Sequence, residues 1–250
     1  LLLPGLAWSG SSTAPLIKDG SQIRGIHQSW LVFAREFDGK FPRPSEISNQ
    51  ELKDLGGETF APDVFVDQNH LDTTANLFSI MIMQNYISPE LCVGPTEPSG
   101  SVFVHDDYNW DVYDPVANVH WDDQFSADLD STSHVSYAHM PLFGENVNRH
   151  WRDTMSDTFP IVGNRGPKDG DDPSSITLKI HGSNKKWLGN IIFNDNHVVV
   201  SSEMVFDRVD EDGNTFSDHI FRFDQAKSGL DAILTFTKAM TEDGPVVQWD

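Results

Sequence analysis

Five apolar residues set the first constraint on this chain. Ile23, Ile26, Trp30, Phe33 and Phe37 follow one another at intervals of three, four, three and four. That spacing puts their side chains on one face of an α-helix. Arg24, Gln28, Arg35 and Glu36 fall largely on other faces. Such a stripe has to be buried against a second element. Gly20 and Gly25 each weaken the helix by about 1 kcal/mol relative to alanine, a loss that tertiary packing must offset. Asp38-Gly39 stops the helix, and Phe41-Pro42-Arg43-Pro44 forces an extended exit.

Beyond this helix the pattern changes. Residues 43–71 are mixed, with a short helix around Asn49–Leu55. A second helix is expected from Thr73 to Tyr86, capped by Asp72 or Thr73, with Leu77, Ile80, Met81 and Gln84 near one face. Ser88-Pro89-Glu90-Leu91-Cys92 reads as the start of an extended segment. From 94 to 175 the chain is rich in Pro, Gly, Asp and Asn with interleaved aromatics, and reads as a long irregular insertion with short strands. The C-terminal part reads as β: Ser175–Ile180, Gly189–Phe193, His197–Ser201, Glu203–Val209 and Asp218–Phe223 as strands, and Ala232–Thr237 as a strand or short helix. Asn194-Asp195-Asn196 between two apolar runs is a hairpin signal, because these residues tolerate left-handed backbone angles. The domain reading is therefore a helix over 1–38 and a β-rich head over 39–250.

Charge limits the partners. The formal net charge is −21, spread along the chain. Such a surface repels nucleic acid and anionic headgroups at long range. Cys92 is the single cysteine, so neither an intrachain disulfide nor a cysteine-based metal site can form. Leu1-Leu2-Leu3-Pro4-Gly5-Leu6 is apolar, but a membrane span needs about 20 residues. It reads either as the tail of a longer apolar segment or as an arm that packs on the domain.

Several clusters hold chemistry-bearing side chains. His105-Asp106-Asp107 and His120-Trp121-Asp122-Asp123 contain metal-ligand types, but neither has the helical spacing of a zinc protease. Asp210-Glu211-Asp212-Gly213-Asn214 has oxygen ligands two apart around a glycine, as half of a calcium loop would, with Asp207 and Asp218 as nearby alternatives. A plain β-turn is the alternative. Neither a nucleophile elbow nor a phosphate-cradling glycine loop occurs. His181 and His197 flank a compact block that includes Trp187, Asn190, Asp195 and Asn196, which is either a scaffold hairpin or a pair of imidazoles about a metal.

That block carries a resemblance. Asn190-Ile191-Ile192-Phe193-Asn194-Asp195-Asn196-His197-Val198 resembles the C-terminal signature of large pilin-like proteins of planctomycetes and related bacteria, with Asn196 where glycine is usual and a longer spacer after His181. Leu1-Leu2-Leu3-Pro4-Gly5-Leu6 is similar to the end of their membrane helix. Ile23-Arg24-Gly25-Ile26-His27-Gln28 and the Asp38-to-Pro42 exit are similar to the stretch that follows. Ile87 to Cys92 looks like the strand that leads to a Cys-Pro in relatives, here replaced by Val-Gly-Pro.

The resemblance implies an α+β fold, a helix packed on an antiparallel sheet with long insertions. It implies a non-enzymatic subunit of a type IV pilus-like filament or type II secretion pseudopilus, anchored first in the cytoplasmic membrane and then self-assembled at the cell envelope. The expected assembly helix comprises Leu1, Leu2, Leu3, Leu6, Ile23, Ile26, Trp30, Phe33 and Phe37. Calcium near the C-terminal loops is a further implication. Two rival expectations are an anchored binding module using aromatic and acidic loops, and a secreted metal-dependent hydrolase.

Overall fold

The apolar stripe is buried as its spacing requires. The computed structural model describes residues 13–48, 69–182, 185–209, 215–223 and 231–250. Leu1, Leu2, Leu3, Leu6, Asp210, Asp212 and the expected short helix at Asn49–Leu55 lie outside them. Helix α1 runs Thr13–Ala34. Ile23, Ile26 and Trp30 have no exposed surface, and Phe33 almost none. Phe37 lies just beyond the helix and stacks on Phe33, with ring centroids 3.9 Å apart. Asp38 and Gly39 follow at φ 58° and 76° and end the element.

The partner layer is a four-stranded antiparallel sheet in the order β1-β2-β3-β4. Its strands are β1 Tyr137–His139, β2 Pro160–Asn164, β3 Gly189–Phe193 and β4 Val198–Ser201. Helix α1 lies chiefly on β3, with β2 and β4 beside it. Every residue of β1, β2 and β3 is buried, so these strands are covered on both faces. The fold is therefore α+β, an N-terminal helix packed on antiparallel sheet.

Among the described residues two further hairpins occur, β5 Val205–Val209 with β6 Thr215–His219, and β7 Phe236–Thr241 with β8 Gly244–Gln248. Helix α2, Thr74–Met83, is apolar on most sides and buried accordingly, packing on β7. The Thr73 hydroxyl caps it by accepting the Asn76 amide. Asp72 does not cap it; its carboxylate takes the Arg43 guanidinium at 2.6 Å and the Ser45 amide at 2.9 Å. A short helix α3, Glu145–His150, follows β1. Trp30 joins the layers, meeting Phe78 of α2, Phe41 and Trp151, the last at 4.9 Å between centroids. Full burial of side chains this size contributes roughly 1.5–3 kcal/mol each.

Three expectations need correction. The stretch 94–175 is not a mere insertion, because β1 and β2 inside it form half of the central sheet. Both strands are short and buried on both faces, so they show no alternation for a sequence pattern to reveal. Ser175–Ile180 is not a strand: Ile176–Lys179 is a 3-10 turn capped by the Ser175 hydroxyl. Pro89–Cys92 is likewise a 3-10 turn rather than an extended entry. In the first the Ser175 hydroxyl accepts the Thr177 amide, and in the second Pro89 opens the turn with its fixed φ.

Candidate functional site

The residues that bind α1 to the head form one buried polar cluster, and it includes an acid on the helix itself. Asp19 lies in the second turn of α1 and has no exposed surface. Its Oδ1 accepts the Tyr137 hydroxyl at 3.0 Å. Its Oδ2 accepts Nδ2 of Asn190 at 2.8 Å and Nε2 of His181 at 2.9 Å. Three donors from three different segments thus converge on one carboxylate. The same Asn190 amide donates to the Leu16 carbonyl at 3.1 Å, and the Asn190 backbone N–H donates to Oδ1 of Asn164 on β2 at 2.7 Å. Burial, followed by the Asp19 carboxylate, raises the Tyr137 phenol well above its ordinary pKa, which keeps it a donor.

Glycines make room for this arrangement. A Cβ on Gly20 would lie 2.8 Å from Oδ1 of Asn190, and one on Gly94 would lie 3.0 Å from Oδ1 of Asp19. The helix accepts a poor helix former at position 20 because β3 approaches there.

A second fastening lies two turns further along. His27, also fully buried, donates from Nδ1 to Oδ1 of Asn196 at 3.1 Å. Asn196 sits in the β3–β4 turn at φ 69°, in the left-handed region. Trp30 and Phe41 meet the imidazole edge-on. Burial lowers its pKa to about 4, against weaker raising effects from Asn196, Asp153 and Asp195. The ring is therefore neutral at pH 7.

The block from His181 to His197 is the other half of this clamp. His181 and Asn190 hold Asp19, and Asn196 holds His27. Trp187 is buried and donates from Nε1 to the Arg165 carbonyl at 2.8 Å. Arg165 itself makes a buried ion pair with Glu97 at 2.6 Å. Asp195 and His197 pair with each other at 2.5 Å and shape the turn. The two histidines do not converge on one point, since each is bonded to a separate carboxylate.

The chemistry of this cluster is mostly one of fastening. Thr96 Oγ1 lies 3.2 Å from Nδ1 of His181, so a hydroxyl, an imidazole and a carboxylate stand in line. Tyr137 and Asn190 also bind that carboxylate, which ties it to the helix–sheet contact. A cavity of about 300 Å³ lies away from it, beside Phe37, Phe41 and Arg43.

The other expected clusters separate. His105 Nε2 lies 3.3 Å from Asp122, and the His105 ring stacks on His134 at 4.5 Å. His120 bonds instead to Ser48 and Asn118. Among the described residues no group of three or more His, Cys, Asp or Glu side chains is placed to hold a metal ion. Asp207 and Asp218 occupy opposite faces of the β5–β6 hairpin, because Asp207 pairs with Ser217 and Asp218 with Phe206 in register. Asp218 is buried and takes Arg208 at 2.8 Å and the Ala232 amide at 2.9 Å. These two aspartates therefore cannot ligate one cation. Cys92 is buried and its thiol pKa is pushed far up by burial.

Asp19 and Tyr137 are the clamp residues that motif reading missed, whereas His27 lies inside the Ile23–Gln28 stretch picked out by resemblance. A signal for Asp19 exists, since it stands four residues before Ile23, on the stripe itself. No family model matches this chain, and neither does any curated protein or solved structure.

Proposed function

We propose that this chain is a structural subunit of a pilus-like filament or secretion pseudopilus that self-assembles through its N-terminal helix. The supporting observation is the Asp19 clamp. It fastens the first two turns of α1 to the sheet by directed bonds in addition to apolar packing. A helix held only by an apolar stripe can slide or rotate at modest cost, whereas stranded buried donors cost about 1–3 kcal/mol each. The clamp therefore fixes the orientation of the start of α1 on the head, as a subunit that assembles through this helix requires. Among the described residues no helix is long and apolar enough to cross a membrane. The subunit is placed at the cell envelope, first on the cytoplasmic membrane and then in the filament.

Electron microscopy of the full-length chain across salt and calcium conditions is the test. Ordered filaments are expected, and monomers under every condition would sink the reading. A membrane-anchored binding module is the second reading, favoured by Phe103, Trp110, Tyr113 and Val116, which are large, apolar and exposed.

A further inference from the structure

The outward face of α1 differs in sign from the rest of the protein. Ile17, Arg24, Gln28 and Val32 are exposed, and intervals of seven, four and four keep them on one stripe. Lys18 flanks the stripe and Arg35 follows it in the turn after the helix. Between Thr13 and Arg35 the only acid is Asp19, which is buried. Lys18, Arg24 and Arg35 have no ion-pair partner among the described residues. Two cations on the helix and one in the turn after it, without an ion-pair partner among the described residues, are unusual in a chain of net charge −21.

The complementary surface is on the same chain. No lysine or arginine occurs between Lys53 and Arg149. Within that span the 103–124 segment exposes Asp106, Asp107 and Asp111, none with a cation in ion-pair reach among the described residues, beside exposed Trp110, Tyr113 and Val116. This segment is held rigidly on α2. Tyr108 donates to the Ser79 carbonyl at 2.7 Å, and Trp110 Nε1 donates to the Ile82 carbonyl at 3.4 Å. One face thus offers cations flanked by Ile17 and Val32, and the other offers aspartates flanked by aromatic rings.

We infer that the outer face of α1 docks on the 103–124 segment of a second copy of this chain. The inference rests on the assembly reading and names its partner surface. Two different patches meeting head to tail form a ring where the rotation closes and an open series where it does not, and the assembly reading takes the second. Magnitudes set the strength of each contact. A 22-residue helix is ~33 Å long, and a face ~10 Å wide covers ~330 Å². A stable interface needs about 800 Å² on each side. A single contact of this kind is therefore weak and salt-sensitive, since exposed charges are screened beyond about 8 Å at physiological ionic strength. It becomes effective when repeated along an assembly.

Disulfide trapping between two populations of the full-length chain tests this. One carries Arg24→Cys and the other Asp111→Cys; both positions are exposed, and the native Cys92 is buried and unreactive. Asp243→Cys, exposed in the β7–β8 turn, is the control for random collision. Under mild oxidant at low salt, the Arg24→Cys and Asp111→Cys chains should cross-link several-fold more than the Arg24→Cys and Asp243→Cys chains, and high salt should remove the excess. Filaments without preferential cross-linking would overturn this interface and leave the assembly reading standing. Preferential cross-linking without filaments would keep the contact and remove the filament. Neither cross-link nor filament would overturn both.

Discussion

Asn190 on β3 donates to Asp19 on α1 at 2.8 Å, across 171 residues of chain. The bond joins the first described helix to the centre of the sheet, and both side chains are buried. Asp19→Ala should therefore be among the most damaging single changes in the head. It strands the Tyr137 hydroxyl, the His181 imidazole and one Asn190 N–H at once. A loss of about 3–5 kcal/mol is expected, the range for breaking a buried polar network at one partner. Urea unfolding measures it through the midpoint at unchanged slope. A change within about 0.5 kcal/mol, the size of an ordinary surface substitution, would show that the network is not a fastening.

Two glycines in α1 should respond with opposite signs. Gly25→Ala meets only Leu91 methyls at 3.8 Å and 3.9 Å, so it should stabilise by up to about 1 kcal/mol through helix propensity. Gly20→Ala gains the same propensity but drives its Cβ to 2.8 Å from Oδ1 of Asn190. That displaces the amide that holds Asp19, and a net destabilisation is expected. Parallel thermal melts of the two variants decide the matter. Equal stabilisation by both would mean that β3 does not approach the helix as described.

Asp218 bears on the calcium expectation. Its partners include Arg208 and the Ala232 amide, so Asp218→Ala removes the carboxylate bonded to the buried Arg208 guanidinium. The midpoint of unfolding should fall strongly and by the same amount in chelator and in millimolar calcium. A loss that appears only with calcium present would return Asp218 to a cation site.

Legibility in the sequence follows from burial. Helix α1 and the β3–β4 hairpin were readable because a one-faced apolar stripe and an Asn-Asp-Asn turn leave a pattern. Strands β1 and β2 were not, because Tyr137–His139 and Pro160–Asn164 are covered on both faces and carry no alternation. His181, Asn190 and Asn196 were picked out by resemblance as a hairpin motif, yet their partners on α1 were invisible, since hydrogen-bond geometry over more than 160 residues has no local signature. Only the placement of Asp19 on the apolar stripe announced a buried acid in need of donors.

Stability should fall in mild acid, and the sign follows from two buried histidines. Burial lowers His27 to about 4 and His139 to about 4, from an ordinary value of 6.5. The unfolded chain therefore binds these protons at a higher pH than the folded chain does. Each group's contribution is fully present above pH 6.5 and is lost as the pH falls from 6.5 toward 4. Each difference is worth about 3 kcal/mol when complete. Nδ1 of His139 donates to the Met140 carbonyl and Nε2 accepts the Thr74 hydroxyl, so protonation would remove the bond accepted from Thr74. Protonated His27 would place a proton on Nε2, which has no hydrogen-bond partner among the described residues. Unfolding free energy measured from pH 7.5 to pH 4.5 should decline with a slope approaching two protons. His27→Gln, which keeps an N–H for Asn196, should lower that slope by up to one proton even if it also lowers stability at pH 7.5. An unchanged slope in that variant would mean that His27 is charged, or solvated, in the folded protein.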